Sequence, residues 1–272
     1  MFPRITYILL IISIFVASCS SYTRVMKGND MDAKLNLAIK LYNKGDYFKA
    51  LPLLEELITV YRGTKKAEKT YYYYAYTNYQ LGDYETAAYD FDNFAKTFPG
   101  SEYSEECAFM HSYCYYQDSP EYSLDQTNTV KAINELQLFA DQYPQSSRIE
   151  QCNKLIDQLR AKLEEKSFQN AKLYFNMEEY KASITTFRNL LNDFPSTTYS
   201  EQALFLILKG SFLLAENSFE DKKYPRYQET IIAYSDFASA YAESKYRKDA
   251  DEIVLMARKR LEKLTPSTTS VN

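Results

Sequence analysis

The sequence has no tryptophan, one histidine, four cysteines, six glycines and eight prolines among 272 residues. A sheet-rich fold with many tight turns needs glycine at positive φ and proline at fixed φ, so the scarcity of both favours helices. No Cys-x-x-Cys pair is present, and the usual zinc spacings are therefore missing. Gly-x-Ser-x-Gly, His-Glu-x-x-His and glycine-rich phosphate loops are missing too. We predict a helical, non-catalytic protein without a metal or a cofactor.

Positive charge is also not in excess. The chain has 32 Lys and Arg against 36 Asp and Glu, a formal net charge of -4. Nucleic-acid binders concentrate basic charge, so this balance argues against a nucleic-acid partner. The 46% of hydrophobic residues and 16% of aromatic residues supply enough apolar surface for a stable core.

The amino terminus has the pattern of an export signal. Arg4 precedes an apolar run over residues 8–17, followed at once by Ser18 and Cys19. The run has about ten residues, whereas a membrane-spanning helix needs about 20, so a retained membrane helix is the weaker interpretation. Val16-Ala17-Ser18-Cys19 is similar to the bacterial lipobox, where the signal is cut before a cysteine that then carries acyl chains.

The lipobox predicts how the protein is anchored. We expect a signal peptide over residues 1–18, acyl chains on Cys19, and a polar tether over residues 19–30. Acyl chains anchor a protein without a spanning helix, since each buried methylene contributes about 0.8 kcal/mol. Lipoproteins with a serine after the cysteine, here Ser20, usually reach the outer membrane. No acidic cluster follows that would direct the protein to the cell surface. We therefore predict that the protein lies on the periplasmic face of the outer membrane.

Three further cysteines are predicted to fill the core. Cys107 and Cys114 are seven residues apart, which on one helix is about 10.5 Å, beyond the ~7 Å limit between the α carbons of a disulfide. A metal site of these two and His111 would lack a fourth ligand. We therefore interpret Cys107, Cys114 and Cys152 as small core residues and His111 as a packing residue.

Small residues and turn residues recur at a spacing of 37, which is typical of a repeat array. The equivalent sets are Ala38, Ala75 and Ser112; Gly45, Gly82 and Ser119; Ala50 and Ala87. Gly-Asp-Tyr follows each first helix at Gly45 and Gly82, where glycine can adopt the left-handed conformation that ends a helix. Glu178-Glu179-Tyr180 is a degenerate third copy of this turn.

The repeats predict an all-α fold, a superhelical stack of about five TPR-like helix-turn-helix hairpins over residues 31–264, with a disordered tail over residues 265–272. The predicted hairpins are Asp32 to Arg62, Lys69 to Phe98, Ser104 to Tyr143, Ile149 to Phe194 and Ser200 to Tyr241, with a capping helix from Ser244 to Leu264. The third and fifth contain extra residues around 120–129 and 220–226, which we expect to form exposed loops. The fourth begins with a long segment without Gly or Pro, which predicts an extended helix.

Aligning the first three repeats reveals an aromatic stripe, a candidate groove for a peptide. Its nine members are Leu35, Ile39, Tyr42, Tyr72, Tyr76, Tyr79, Phe109, Tyr113 and Tyr116. Within a helix these positions are four and three apart and share one face. Tyrosine offers rigid contact area at low entropic cost. An aromatic stripe at helical spacing also fits core packing, and both interpretations stay open.

The chain resembles the BamD family of TPR lipoproteins in the outer-membrane β-barrel assembly (BAM) machinery. The resemblance rests on the lipobox, the five hairpins, the junctions Phe98–Glu105 and Phe194–Glu201, and the fourth repeat over Lys166–Phe175 and Glu179–Ile184. It implies docking on the POTRA domains of a BamA barrel, contact with other BAM lipoproteins, and reception of unfolded barrel precursors. It also implies that the amino-terminal hairpins hold a precursor's terminal segment and the carboxy-terminal hairpins contact BamA.

Two other functions fit parts of the pattern. A periplasmic TPR adaptor for envelope organisation would share the fold, but such proteins usually begin with a coiled coil that this chain lacks. A glycan-binding SusD-like lipoprotein would be much longer and would carry tryptophans for sugar stacking, whereas this chain has none.

Overall fold

The computed structural model describes residues 22–264, and between residues 31 and 264 it contains eleven α-helices and no strand. The helices are α1 (Met31–Asn43), α2 (Tyr47–Val60), α3 (Ala67–Gln80), α4 (Tyr84–Thr97), α5 (Ser104–Gln117), α6 (Thr127–Gln142), α7 (Ile149–Asn176), α8 (Tyr180–Asp193), α9 (Ser200–Glu216), α10 (Glu220–Ala240) and α11 (Arg247–Leu264). Consecutive helices pair as α1 with α2 through α9 with α10, and α11 follows. The prediction of five TPR-like hairpins and a final helix is confirmed.

The turns inside the hairpins follow the predicted chemistry. Gly45 and Gly82 have φ values of 77° and 80°, in the left-handed region. The amide of Gly45 donates to the carbonyl of Tyr42 at 2.9 Å, which ends α1. Glu178 occupies the third copy of this turn with φ 63°. The backbone geometry is therefore kept where the glycine is lost, at the steric cost of a side chain in this region.

Small residues lie where paired helices approach closely. Ala38, Ala50, Ala75 and Ala87 are all fully buried. In α8, Ser183 occupies the repeat position that Ala50 and Ala87 hold in the first two hairpins, and it is also fully buried. Its hydroxyl donates to the carbonyl of Ala171 in α7 at 2.9 Å. The spacing of small residues that was read from the sequence is thus the spacing of the tight helix contacts.

The two predicted insertions differ in structure. Residues 118–126 connect α5 to α6 without helix, as predicted, and Lys166 of α7 donates to the carbonyl of Leu124 at 2.6 Å. Residues 220–226 were predicted to form an exposed loop, and this is wrong because α10 begins at Glu220. The two acidic residues of its first turn favour a helix start. Pro225, the sixth residue of the helix, removes a single backbone bond, which the helix tolerates.

The helix α7 has 28 residues, as its lack of glycine and proline predicts. It begins in one of two compact units and ends in the other. Among the described residues, the first unit holds 22–120 and 125–159, and the second holds 121–124 and 160–264. Each unit has its own hydrophobic core, with Leu53, Leu54 and Leu57 in the first and Phe187, Leu190 and Phe237 in the second. No described helix is long and apolar enough to cross a membrane.

The segment ahead of α1 is described only in part. Cys19 and the predicted signal peptide lie outside the described residues, as does the tail over 265–272. Residues 22–26 are helical, and Tyr22 and Met26 pack against the core of the first hairpin. The part of the predicted tether that is described therefore contacts the folded domain.

Candidate peptide-binding surface

Two members of the aromatic stripe are core residues. Leu35 is 7% exposed and packs in the first hairpin, and Phe109 is 2% exposed. The ring of Phe109 contacts that of Phe139 in α6, with 5.6 Å between centroids. The prediction that these two line an open groove is wrong, because their helix positions turn toward the partner helix of the hairpin.

The other seven members of the stripe are half-buried: Ile39, Tyr42, Tyr72, Tyr76, Tyr79, Tyr113 and Tyr116. Each therefore keeps part of its side chain at the surface. Their solvent-facing parts belong to α1, α3 and α5, the first helices of three hairpins, and all of them lie within the first unit.

Rings of the stripe contact each other from one helix to the next. On α3, the centroids of Tyr72 and Tyr76 are 4.7 Å apart, and those of Tyr76 and Tyr79 are 6.4 Å apart. The ring of Tyr79 lies 6.4 Å from that of Tyr113 on α5, which stacks on Tyr116 at 5.5 Å. Such separations are those of favourable aromatic pairs. The five rings form one continuous surface across two hairpins.

The stripe reaches the first hairpin by another route. Tyr42 of α1 contacts Tyr73 of α3 at 5.1 Å, and Tyr73 contacts Tyr72 at 5.9 Å. Repeat alignment did not include Tyr73, because it lies one residue beyond the equivalent position. A repeat period gives equivalent positions and not the contacts between adjacent hairpins, so it does not identify Tyr73 as a member of the row.

Glu106 is the charged residue at the centre of the stripe. The hydroxyl of Tyr76 donates to its carboxylate at 2.6 Å, and that of Tyr72 lies 3.4 Å from the other oxygen. Burial, followed by the bond to Glu106, raises the pKa of Tyr76 far above its usual range. Burial also raises the pKa of Tyr42 to about 12. These tyrosines therefore stay protonated, and the stripe has one carboxylate beneath its rings.

Hydroxyl groups along the stripe are largely engaged within the protein. Besides the two that face Glu106, the hydroxyl of Tyr116 donates to the side-chain oxygen of Gln158 at 2.9 Å. What these residues offer a ligand is chiefly the edges and faces of their rings. Glu106 follows Tyr76 by 30 residues, so the sequence could indicate their contact only through an alignment of α5 against α3.

The remaining predicted residues have packing roles. Nδ1 of His111 lies 2.8 Å from the carbonyl oxygen of Ala88, and Nε2 lies 3.2 Å from Glu135, so the ring links α4, α5 and α6. Cys107, Cys114 and Cys152 are buried, as predicted, and none forms a disulfide within the described residues; burial raises the pKa of each thiol. No cluster of three metal-binding side chains occurs in residues 22–264.

Comparison with known proteins gives a family match over most of the chain. Residues 30–224 match the family model described as YfiO, outer membrane lipoprotein. The outer membrane protein assembly factor BamD of Caulobacter vibrioides is 19% identical over 219 residues, covering 79% of this chain and 72% of that protein.

Two solved structures share low sequence identity with this chain. The crystal structure of the P58(IPK) TPR domain matches 90% of this chain and 69% of its own, with 14% identity and a TM-score of 0.41. The TPR2AB domain of yeast Sti1, solved in a complex with pHSP90, matches 86% of this chain and 96% of its own, with 14% identity and a TM-score of 0.40.

Proposed function

The chain belongs to the YfiO family of outer membrane lipoproteins, and we propose that it assists the assembly of outer-membrane β-barrels by binding unfolded precursors, without catalysing a reaction. A relative over 79% of this chain is named an outer membrane protein assembly factor. The continuous row of half-buried rings from Tyr72 to Tyr116 is the observation that carries the proposal for this molecule.

We propose that an extended precursor segment ending in an aromatic residue lies along the stripe. Ring faces at the surface suit an aromatic side chain, because pairs of rings contribute about 0.5–1.5 kcal/mol beyond the area that they bury. The rings are already held by their neighbours, so binding orders few side chains of the protein. We expect micromolar affinity, which corresponds to about -8 kcal/mol.

Glu106 adds a charge to this recognition. Its carboxylate accepts hydrogen bonds from Tyr72 and Tyr76 and fixes both rings. A carboxylate at this place also disfavours a peptide with acidic side chains near its aromatic end, since like charges repel in a partly buried site. The terminal carboxylate of the bound segment must for the same reason lie away from Glu106. Segments that are neutral or basic next to the terminal aromatic residue should bind best.

The second unit is proposed to dock on the POTRA domains of a BamA-type barrel protein, with other BAM lipoproteins as further partners. Leu173, Tyr174 and Met177 near the end of α7 are 56%, 40% and 61% exposed. Exposed apolar side chains grouped at the end of a helix and in the turn that follows it are typical of a protein contact. They do not take part in the stripe, which lies in the first unit.

The protein is proposed to work at the periplasmic face of the outer membrane, held there by acyl chains on Cys19. The family match supports the outer membrane. The lipobox supports the cysteine.

Peptide binding tests the proposed groove. Fluorescence anisotropy would be measured with a labelled peptide that ends in phenylalanine, on the parent chain and on the double variant Tyr79→Ala/Tyr113→Ala. These two rings bridge α3 and α5, and their loss interrupts the row. We expect affinity to fall at least about tenfold, the effect of about 1.4 kcal/mol.

The matched control is Tyr89→Ala, which truncates a 66% exposed tyrosine of α4 outside the stripe. It should bind the peptide as the parent does. A double variant that keeps its helical circular dichroism and binds with the affinity of the parent would refute the groove.

A further inference from the structure

The turn of the first hairpin carries an exposed aromatic residue. Phe48, in the first turn of α2, is 82% exposed, the most exposed of the large apolar residues in the described chain. Its neighbour Lys49 is exposed as well and forms an ion pair with Asp46 at 2.6 Å. A largely exposed aromatic ring beside a lysine is typical of residues at a membrane surface.

The proposed anchor, Cys19, is three residues from Tyr22, which contacts this part of the first hairpin. The hydroxyl of Tyr22 donates to the carbonyl of Lys49 at 3.3 Å, and the ring of Tyr22 packs against the first hairpin. Three peptide units separate Tyr22 from Cys19, and they span at most about 11 Å whatever their conformation. If acyl chains hold Cys19 at the bilayer, the first hairpin cannot move away from it.

The positive charge of residues 22–50 fits a position next to an anionic membrane surface. Residues 22–50 contain six Lys and Arg against three Asp, a net +3, although the whole chain has -4. The three aspartates have partners: the Ala33 amide, Lys66 and Lys49. Arg24, Lys27 and Lys44 are exposed and form no ion pair within residues 22–264. Basic residues near an anionic lipid surface are attracted to it electrostatically.

We propose that the turn between α1 and α2 is a membrane-contact surface, with Phe48 in the interfacial region of the bilayer and the exposed Arg24, Lys27 and Lys44 against anionic headgroups. This inference rests on the proposed lipid anchor at Cys19. Together with that anchor, the contact would fix the orientation of the first unit at the membrane, because the protein would then be attached at two places.

The absence of tryptophan allows a direct test. Phe48→Trp in the full-length lipidated protein introduces a single tryptophan. The matched control is Val60→Trp, at a 47% exposed position on the same helix, twelve residues or about 18 Å further along. Phe48 is largely exposed and Val60 is about half exposed, so neither replacement is expected to unfold the protein. Each variant would be reconstituted in vesicles of phosphatidylethanolamine and phosphatidylglycerol, with or without brominated acyl chains.

We expect the emission of the tryptophan at position 48 to shift to shorter wavelength on reconstitution and to lose intensity with brominated lipid. The tryptophan at position 60 should show neither change. Equal quenching at both positions, or no quenching at position 48, would overturn the membrane-contact surface.

The mass of the purified protein separates this failure from that of the anchor. If Cys19 carries acyl chains and position 48 is not quenched, the contact surface is wrong and the anchor stands. If Cys19 carries no acyl chains, the anchor and the inference that rests on it both fail.

Discussion

Asp90 is a buried carboxylate whose replacement should stabilise the protein. It is 4% exposed on α4, where it accepts a hydrogen bond from the side chain of Asn78 at 2.8 Å. Burial raises the pKa of Asp90 from 3.8 to about 6, and the hydrogen bonds from Asn78 and Tyr71 only partly oppose this. The folded protein therefore binds a proton that the unfolded chain has lost between these two pH values.

The sign of the pH dependence follows from this difference. Because the native state holds more protons than the unfolded state between about pH 4 and pH 6, stability falls as pH rises through this window. A rise of about two pKa units corresponds to about 2–3 kcal/mol. Asp90→Asn removes the ionisation and keeps an oxygen that can accept from Asn78.

Thermal melting at pH 4, 5, 6 and 7 would check this prediction. Asp90→Asn should melt close to the parent at pH 4 and progressively above it up to pH 7, where the gain approaches about 2 kcal/mol. The control is Asp92→Asn on the same helix, which replaces a partly exposed carboxylate paired with Lys96. Its melting temperature should not rise progressively above that of the parent from pH 4 to pH 7. A difference between Asp90→Asn and the parent that does not change with pH, or a variant less stable than the parent at pH 7, would refute the reasoning.

Three further changes test the fold and the anchor. Ala75→Trp should overpack a fully buried helix contact and cost about 1–3 kcal/mol or more; an unchanged melting temperature would show that the repeat register is wrong. Glu178→Gly should stabilise the turn before α8 by about 1 kcal/mol, because a side chain at φ 63° is strained; chemical denaturation would measure it, and a loss of stability would contradict it. Cys19→Ser should release the protein from the outer membrane or leave its precursor uncleaved; normal cleavage with unchanged membrane retention on fractionation would exclude the anchor.

The sequence was sufficient to predict the helical hairpins, because each repeat has the same requirements for helix packing and for its turn. Close helix contacts need small side chains, so Ala38 and Ala75 recur with the hairpin, and a left-handed turn favours Gly45 and Gly82. The register failed where composition was ambiguous. Residues 220–226 contain a proline and exceed the period, which suggested a loop, yet their acidic start and the buried Tyr227 that follows hold them in α10.

The candidate site was predicted only in part, since a period gives equivalent positions and not their depth. Leu35 and Phe109 occupy the same repeat position as Tyr72, but the first two are buried while Tyr72 remains half-exposed. Glu106 and Tyr73 complete the stripe through contacts between adjacent hairpins. Such contacts depend on the angle between hairpins, which no single repeat specifies.

Site-specific photo-crosslinking in the outer membrane would test the proposed function most directly. A photoreactive phenylalanine would replace Tyr113, in the row of rings, and in a parallel strain Tyr89, which is 66% exposed outside it. We expect unfolded barrel precursors to be captured at position 113, through their aromatic carboxy-terminal segment, and not at position 89. Capture at position 89 with none at position 113 would contradict the assignment of the aromatic stripe as the precursor-binding surface.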